Sequence, residues 1–204
     1  MGSDPGVRPS LSYMTHPSNP EPPLCVDLDG TLIEGDTLEI SIRHLARHSP
    51  WVLLALPFVL LKGRPALKAF VANRYIPDPA SLVWRTEVLA FLREERSRGR
   101  RIVLATAAHR LIAETVFTHL GIFDALVATD GGDNVKGVMK TAQIRKSLEC
   151  NDFDYIGDSA ADIPIFGAAR VCHLVAPSPA LRAAASQVGR IGREFHTLPR
   201  GNAS

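Results

Sequence analysis

The chain has 204 residues, of which 46% are hydrophobic, and its 23 Lys and Arg residues nearly balance its 21 Asp and Glu residues, giving a formal net charge of +2. This length is sufficient for one good-sized core, or for one core with a small accessory domain. The balanced charge argues against a nucleic-acid-binding protein. Three cysteines without paired or metal-type spacing are typical of reduced thiols in a cytosolic protein.

Residues 1–23 are rich in proline, glycine and serine and contain no apolar stretch. This composition predicts a disordered leader. Because the segment lacks the hydrophobic centre of a signal peptide, we expect a cytoplasmic protein.

The next segment is a short apolar run that ends in two aspartates one residue apart, Asp27 and Asp29, followed at once by Gly30 and Thr31. The pattern predicts a buried strand that leads into a turn. Since residues i and i+2 of a strand point to the same side, both carboxylates leave the sheet together. Neighbouring carboxylates stay ionised near neutral pH only beside a positive charge, and Mg²⁺ is the usual divalent cation with this oxygen preference.

Residues 27–32, with the sequence DLDGTL, resemble the DxDGT(L/V) signature of the haloacid dehalogenase superfamily. Most members of that superfamily transfer phosphoryl groups through an aspartyl-phosphate. The resemblance implies a Rossmann-like core in which Asp27 is the nucleophile and Asp29 is the general acid and base. It also implies a Mg²⁺ ion held by the Asp27 carboxylate, the Asp29 backbone carbonyl and the Asp158 carboxylate.

Residues 33–80 contain helical patterns and no convincing strand, which predicts an all-helical inserted unit, in the position of the superfamily's C1 cap. Between Ile40 and Pro77 there is no Asp or Glu, although six Lys and Arg residues are present. The apolar run 51–61, broken by Pro57, is shorter than the roughly 20 residues that span a bilayer. Two interpretations stay open: a kinked, buried helix, or an interfacial surface that lies on lipid or accepts an apolar tail.

Beyond residue 80, strand and helix patterns alternate. An amphipathic helix is predicted over 81–98, and strands separated by helices are predicted at 101–106, 125–128, 153–156 and 171–175. This alternation predicts an α/β fold with a doubly wound parallel sheet, in which ligands bind beyond the carboxyl ends of the strands. The predicted core comprises residues 24–32 and 81–190, and a flexible tail is expected over 191–204.

Residues 157–162, with the sequence GDSAAD, follow a predicted strand and match the GDxxxD form of the superfamily's fourth motif. The resemblance assigns Asp158 to the metal. Asp162 returns to the same side one helical turn later, where we expect it to orient metal-bound water or the lysine of the site. Either aspartate alone fits a helix cap, but both together after a strand favour the motif.

Two further residues resemble the second and third motifs of the superfamily. Thr106 closes a predicted strand, where the family hydroxyl binds a phosphoryl oxygen, although threonine is also a common cap in this position. Lys136 precedes Gly137, as in phosphoserine-phosphatase-like members, where the lysine neutralises the charge of nucleophile and phosphate. A solvated surface lysine is the alternative for Lys136, and Lys140 is a competing candidate one helical turn later.

These residues together predict a Mg²⁺-dependent phosphomonoester hydrolase with a small phosphorylated substrate, and the basic, apolar insertion suggests a prenyl- or sugar-linked phosphate. Residues 56–68 and 104–107 also resemble the phosphatase-type domains found beside UbiA-family prenyltransferases, which implies association with a membrane surface or with such an enzyme. The alternative is a regulatory phospho-acceptor module that partners a membrane prenyltransferase. Asp29 argues against this alternative, since a phosphorylatable receiver needs no general acid there.

Overall fold

The computed structural model describes residues 21–129, 137–149 and 151–196. Its strands are β1 (Leu24–Val26), β2 (Ile102–His109), β3 (Ala125–Thr129), β4 (Asp154–Gly157), β5 (Cys172–Val175) and β6 (Ile191–Phe195). Its helices are α1 (Thr37–His48), α2 (Leu56–Leu60), α3 (Arg64–Ala72), α4 (Thr86–Ser97), α5 (Arg110–Leu120), α6 (Val138–Leu148), α7 (Ile163–Phe166) and α8 (Pro179–Val188). Short 3₁₀ helices cover Pro50–Ala55, Pro79–Ser81 and Ala160–Asp162.

The described strands form one parallel sheet in the order β3-β2-β1-β4-β5-β6. Alternate residues of β1 pack into different cores, because successive side chains of a strand point to opposite faces. Leu24 and Val26 join a core that includes α4 and α5, whereas Cys25 joins one that includes α6, α7 and α8. Helices therefore cover both faces, and the predicted doubly wound α/β fold is confirmed.

The strand order places β1 between β2 and β4, with Val26 opposite Leu104 on one side and Ile156 on the other. The carboxyl ends of these three strands consequently lie next to one another at one edge of the sheet. The chain continues from these ends into the turn after Asp27 and into the segment that begins with Asp158. Ligands of open α/β sheets bind at such an edge.

Both ends of the described chain are more ordered than the sequence predicts. Residues 191–195, expected to belong to a flexible tail, form β6 and pair in parallel with β5. The only large apolar side chains of β6 are at its two ends, so it lacks the alternation that would reveal a strand, yet Phe195 is buried in the core. In the expected leader, the Pro22 carbonyl accepts a hydrogen bond from the Arg100 side chain, and the Pro23 carbonyl accepts one from the Asp154 backbone amide. Residues 1–20 and 197–204 lie outside the described residues.

The helices between β1 and α4 lie within residues 37–81, which we call the helical insertion. The segments that lead into and out of the helical insertion lie next to each other. Ile33 forms an antiparallel bridge with Trp84, and the Glu34 amide donates to the Val83 carbonyl at 2.8 Å. Asp36 caps α1 by accepting hydrogen bonds from two amides of its first turn. The helical insertion is thus joined to the core through one paired connection.

Residues 51–61 do not form the buried helix that was one of the two interpretations. Neither Pro50–Ala55 nor α2 contains a buried residue. Both elements are short and pack mainly on α1, on α3 and on each other, so no second layer covers their apolar side chains. None of the helices in the described ranges is long and apolar enough to cross a membrane.

Candidate active site

A cavity of about 380 Å³ lies beyond the carboxyl ends of β1 and β4. Charged side chains from the turn after β1, the helical insertion, α6 and the segment after β4 line it. They are Asp27, Asp29, Asp36, Glu39, Arg64, Lys68, Lys140, Asp158 and Asp162. Carboxylates from two distant motifs therefore meet in one cavity.

Asp27 is held between a backbone amide and a buried ammonium group. Its Oδ1 accepts a hydrogen bond of 2.8 Å from the Leu28 amide. Its Oδ2 lies 3.0 Å from Nζ of Lys140, whose side chain is only 2% exposed. Because a buried ion pair is poorly screened by water, Lys140 is a strong positive charge beside this carboxylate.

Lys140 is fixed in place by Tyr155 and Asp162. Its Nζ donates to the Tyr155 hydroxyl at 2.7 Å and lies 3.7 Å from Oδ1 of Asp162. Burial, followed by the negative charge of Asp162, raises the pKa of Tyr155 well above its usual range. The phenol therefore stays protonated and donates to Asp162 Oδ1 at 3.1 Å.

Both oxygens of Asp162 are engaged by groups of the protein. Besides Tyr155 at Oδ1, the Ser159 amide and hydroxyl donate to Oδ2 at 3.2 and 3.0 Å, closing a capping box around the turn after β4. Asp162 thereby ties this turn to Lys140. The role expected for Asp162, orienting metal-bound water or the lysine of the site, stays a prediction.

Asp158 is positioned by the turn that follows Asp27. Thr31 Oγ1 donates to Asp158 Oδ1 at 2.9 Å. Gly30 adopts a φ of 73°, and a Cβ at this position would lie 2.0 Å from Asp158 Oδ2. Only glycine fits this close approach, so Gly30 of the first motif is required by the aspartate of the fourth.

The Asp29 side chain meets the first residue of α1. Its Oδ1 accepts a hydrogen bond of 2.7 Å from the Thr37 amide. Burial is the largest influence on this carboxyl group and, together with the charges of Asp36 and Asp27, raises its pKa to about 7. The Thr37 amide acts in the opposite direction but does not compensate. Asp29 is thus able to exchange a proton near neutral pH.

Three of these aspartates form a group that could hold a hard cation. Oxygen atoms of Asp27, Asp158 and Asp162 lie within 4.8 Å of one another. Burial, and then the charge of Asp27, raises the pKa of Asp158 to about 7. Oxygen-only donors of this kind suit Mg²⁺. The proposed Asp29 carbonyl ligand stays a prediction.

Thr106 is completely buried at the end of the β2 segment predicted from sequence, while β2 itself continues to His109. The Thr106 hydroxyl accepts a hydrogen bond of 3.0 Å from the Ala108 amide, which is the local bond that a capping threonine makes. The residue that lines the cavity here is Ala107. A role for Thr106 in binding a phosphoryl oxygen stays a prediction.

Lys136, the favoured third-motif lysine, lies outside the described residues, and the competing candidate Lys140 is the lysine placed beside Asp27. Lys140, Ile144 and Leu148 succeed one another at intervals of four residues, and all three are buried. A lysine in register with the apolar face of a helix is the sequence signal that favours Lys140, since residues four apart share a helix face.

Three further residues of the cavity and its surroundings were not predicted as site residues from the sequence: Tyr155, Arg64 and Lys68. Lys68 is 8% exposed and donates a hydrogen bond to the Ala107 carbonyl at the end of β2. Arg64 lies one helical turn earlier on α3 and also lines the cavity. The i, i+4 spacing of two cations was the available signal.

Comparison with known proteins identifies relatives of this chain. A curated relative, the uncharacterized protein y4nM of Sinorhizobium fredii (strain NBRC 101917 / NGR234), is 39% identical over 176 residues, which is 86% of this chain. The chain spans about a third (33%) of that relative's length.

Two solved structures share the fold. A protein with unknown function from Bordetella pertussis Tohama I superposes with a TM-score of 0.66 at 17% identity, covering 85% of this chain and 98% of its own. A phospho-aspartyl intermediate analogue of phosphoserine phosphatase superposes with a TM-score of 0.56 at 17% identity, covering 88% and 95%.

The family profile described as haloacid dehalogenase-like hydrolase matches residues 24–167, which include both aspartate motifs. The chain therefore belongs to the haloacid dehalogenase-like hydrolase family.

Proposed function

We propose that this protein is a Mg²⁺-dependent phosphomonoester hydrolase that acts through an aspartyl-phosphate on Asp27. The observation that carries the proposal is the position of Asp27, 3.0 Å from the buried Lys140 ammonium and within 4.8 Å of the other cavity aspartates Asp158 and Asp162. A phosphate monoester dianion repels a carboxylate nucleophile, so the attack requires positive charge beside both groups. Lys140 supplies one such charge.

The carboxylates of Asp27 and Asp158, with the Asp29 backbone carbonyl, would hold Mg²⁺ in this cavity. When bound, Mg²⁺ neutralises charge on the nucleophile and on the phosphoryl oxygens. The raised pKa of Asp158 supports this assignment, because a second positive charge would relieve the repulsion between the carboxylates. Asp162 keeps Lys140 oriented.

Proton transfer is assigned to Asp29. A carboxyl group with a pKa of about 7 has close to the best value for donating and accepting protons at neutral pH. Asp29 donates a proton to the leaving oxygen while Asp27 attacks phosphorus. In the second half-reaction it removes a proton from the water that hydrolyses the acyl phosphate.

The phosphoryl oxygens are assigned to Lys140 and Thr106. Lys140 takes the role first predicted for Lys136, since its position beside Asp27 suits the amine that neutralises the nucleophile and phosphate. The Thr106 hydroxyl uses a lone pair to accept from Ala108, which leaves its proton for a phosphoryl oxygen.

The helical insertion serves as the cap, of the C1 kind, that chooses the substrate. Arg64 and Lys68 of α3 line the cavity and would face the organic part of a phosphorylated substrate. A prenyl- or sugar-linked phosphate is the substrate class proposed for this basic unit, in a protein of the cytoplasm.

The test is a screen for inorganic phosphate release from phosphoserine, sugar phosphates and short prenyl phosphates, with Mg²⁺ or with EDTA. Asp27→Asn should reduce kcat on the order of 10³-fold or more. Lys140→Met should reduce it by roughly 10²- to 10³-fold, the cost of removing one electrostatic group from such a site. Lys136→Met is compared with Lys140→Met to test which of the two lysines neutralises the nucleophile and phosphate.

Asp78→Asn serves as the surface control, because Asp78 is exposed and caps a 3₁₀ helix through one oxygen that asparagine retains. Activity that survives Asp27→Asn would overturn the nucleophile, and a larger loss in Lys136→Met than in Lys140→Met would restore Lys136. If acetyl phosphate labels Asp27 but the acyl phosphate is stable and no substrate turns over, the chain is a regulatory phospho-acceptor module.

A further inference from the structure

A set of large apolar side chains is exposed on the helical insertion. Leu61 is 86% exposed, Leu54 76%, Phe58 71%, Trp51 68% and Leu60 50%. All five belong to the eleven-residue run 51–61. We call them the apolar patch.

The exposure of the apolar patch extends over two whole elements and is not limited to one residue. Two consecutive elements, Pro50–Ala55 and α2, have no buried residue at all. Leaving large apolar side chains in water is unfavourable by about 25 cal/mol for each Å². Contiguous exposed patches of this kind mark interaction sites on soluble proteins.

The sequence around the apolar patch carries positive charges and no acidic residue. No Asp or Glu occurs between Ile40 and Pro77. Arg47, Lys62 and Arg64 are exposed, and no ion pair joins them to a carboxylate in the described part of the chain. Arg43, by contrast, is paired with Glu39.

This combination identifies the occupant by its chemistry. Exposed Trp, Phe and Leu residues with Lys and Arg close by in the sequence characterise segments that lie in the interface of a bilayer. Anionic headgroups attract each Lys or Arg near the surface with about 1 kcal/mol. Short elements suffice, because such segments are buried only about 5–10 Å into the boundary between headgroups and acyl chains.

We propose that the apolar patch docks the protein onto an anionic lipid surface, with Lys62 and the neighbouring arginines on the headgroups. Arg64 lines the candidate active site and follows Leu61 by three residues. Docking therefore places the rim of the cavity next to the membrane. This inference is independent of the reaction that the cavity catalyses.

The experiment is co-sedimentation of the 204-residue chain with vesicles of phosphatidylcholine alone or with a third of the lipid replaced by phosphatidylserine. We expect binding to the anionic vesicles, weakened at high salt because screening shortens the range of the charges. Phe58→Ser/Leu61→Ser should lower the apparent partition constant at least about 10-fold. Lys62→Gln should lower it about 5-fold, as expected for one lost charge.

Val188→Ser and Lys146→Gln are the matched controls, since both residues are exposed outside the helical insertion, and neither should change the partition constant. Lipids brominated along the acyl chains should quench Trp51, and Trp51→Phe should remove this quenching. Equal binding to both vesicle types, equal effects of patch and control variants, or no binding would overturn the proposal. So would self-association, measured by sedimentation velocity, that disappears in Phe58→Ser/Leu61→Ser while no variant alters lipid binding.

Discussion

Replacement of Asp158 by asparagine should make the metal-free protein more stable while abolishing its response to Mg²⁺. The wild-type carboxyl group has its pKa raised from 3.8 to about 7, first by burial and then by Asp27. A raised carboxyl pKa means that the folded state holds the proton more tightly than the unfolded state does. Wild-type stability, relative to the variant, is therefore highest below pH 4 and is lost as pH rises to about 7.

The magnitude follows from this shift. A difference of about 3 pKa units corresponds to about 4 kcal/mol at pH 8. Water in the open cavity screens part of this repulsion, so we expect the metal-free variant to be more stable by about 2 kcal/mol. Asparagine keeps an oxygen for the hydrogen bond from Thr31, so the substitution removes charge with little change in contacts.

The assay is urea unfolding of wild type and Asp158→Asn at pH 4.5 and pH 8 (chosen to bracket the shift), in EDTA and in Mg²⁺. Mg²⁺ should stabilise the wild type, because a ligand that binds only the folded state adds to the free energy of unfolding, and should leave the variant unchanged. Asp78→Asn, which changes an exposed carboxyl group outside the cavity, should behave as wild type. A variant that is less stable than wild type in EDTA at pH 8, or that gains as much from Mg²⁺, would refute the reasoning.

Three further predictions concern other parts of the molecule. Gly30→Ala should remove Mg²⁺-induced stabilisation in thermal unfolding and cost about 1–3 kcal/mol, because the new Cβ overlaps Asp158 and φ is 73°; unchanged Mg²⁺ affinity would contradict this. Arg100→Leu should lower the free energy of denaturant unfolding by about 1–3 kcal/mol, since Arg100 is a buried ion-pair partner of Asp154 and Glu95, which keep their pairs with Arg170 and Arg98; a loss below about 1 kcal/mol would show the pair to be dispensable. His173 has a buried Nε2 without a hydrogen-bond partner among the described residues, and burial lowers its pKa from 6.5 to about 4. The wild type should therefore lose stability as pH falls from 6.5 towards 4, and His173→Phe should flatten that part of the pH profile; parallel profiles would exclude His173 as the cause.

Short-range sequence patterns predicted much of the candidate site. The spacing of Asp27 and Asp29 was interpreted from the two-residue period of a strand, and that of Asp158 and Asp162 from a single helical turn. In the structure Asp27 and Asp29 follow β1, and Asp158 precedes the short 3₁₀ helix that contains Asp162. Alternation of strands and helices was enough to predict that both motifs end at the same edge of a parallel sheet. These features are visible in sequence because covalent geometry fixes them within a few residues.

Other features depended on contacts between distant parts of the chain. Two lysines four residues apart were both acceptable by motif, and the packing of α6 against the sheet placed Lys140 beside Asp27. The strand at residues 191–195 exists because β5 offers it an edge, although its own sequence has little apolar alternation.

The sequence by itself thus determined the fold class, the carboxylate motifs and the helical character of the insertion, since local backbone geometry and hydrophobic periodicity specify them. Only the tertiary structure showed that Lys140 lies beside Asp27, that the run 51–61 faces solvent, and that Gly30 must leave room for Asp158. The physical reason is that these outcomes depend on how far apart groups from separate elements lie after packing, and no pattern within one element encodes that distance.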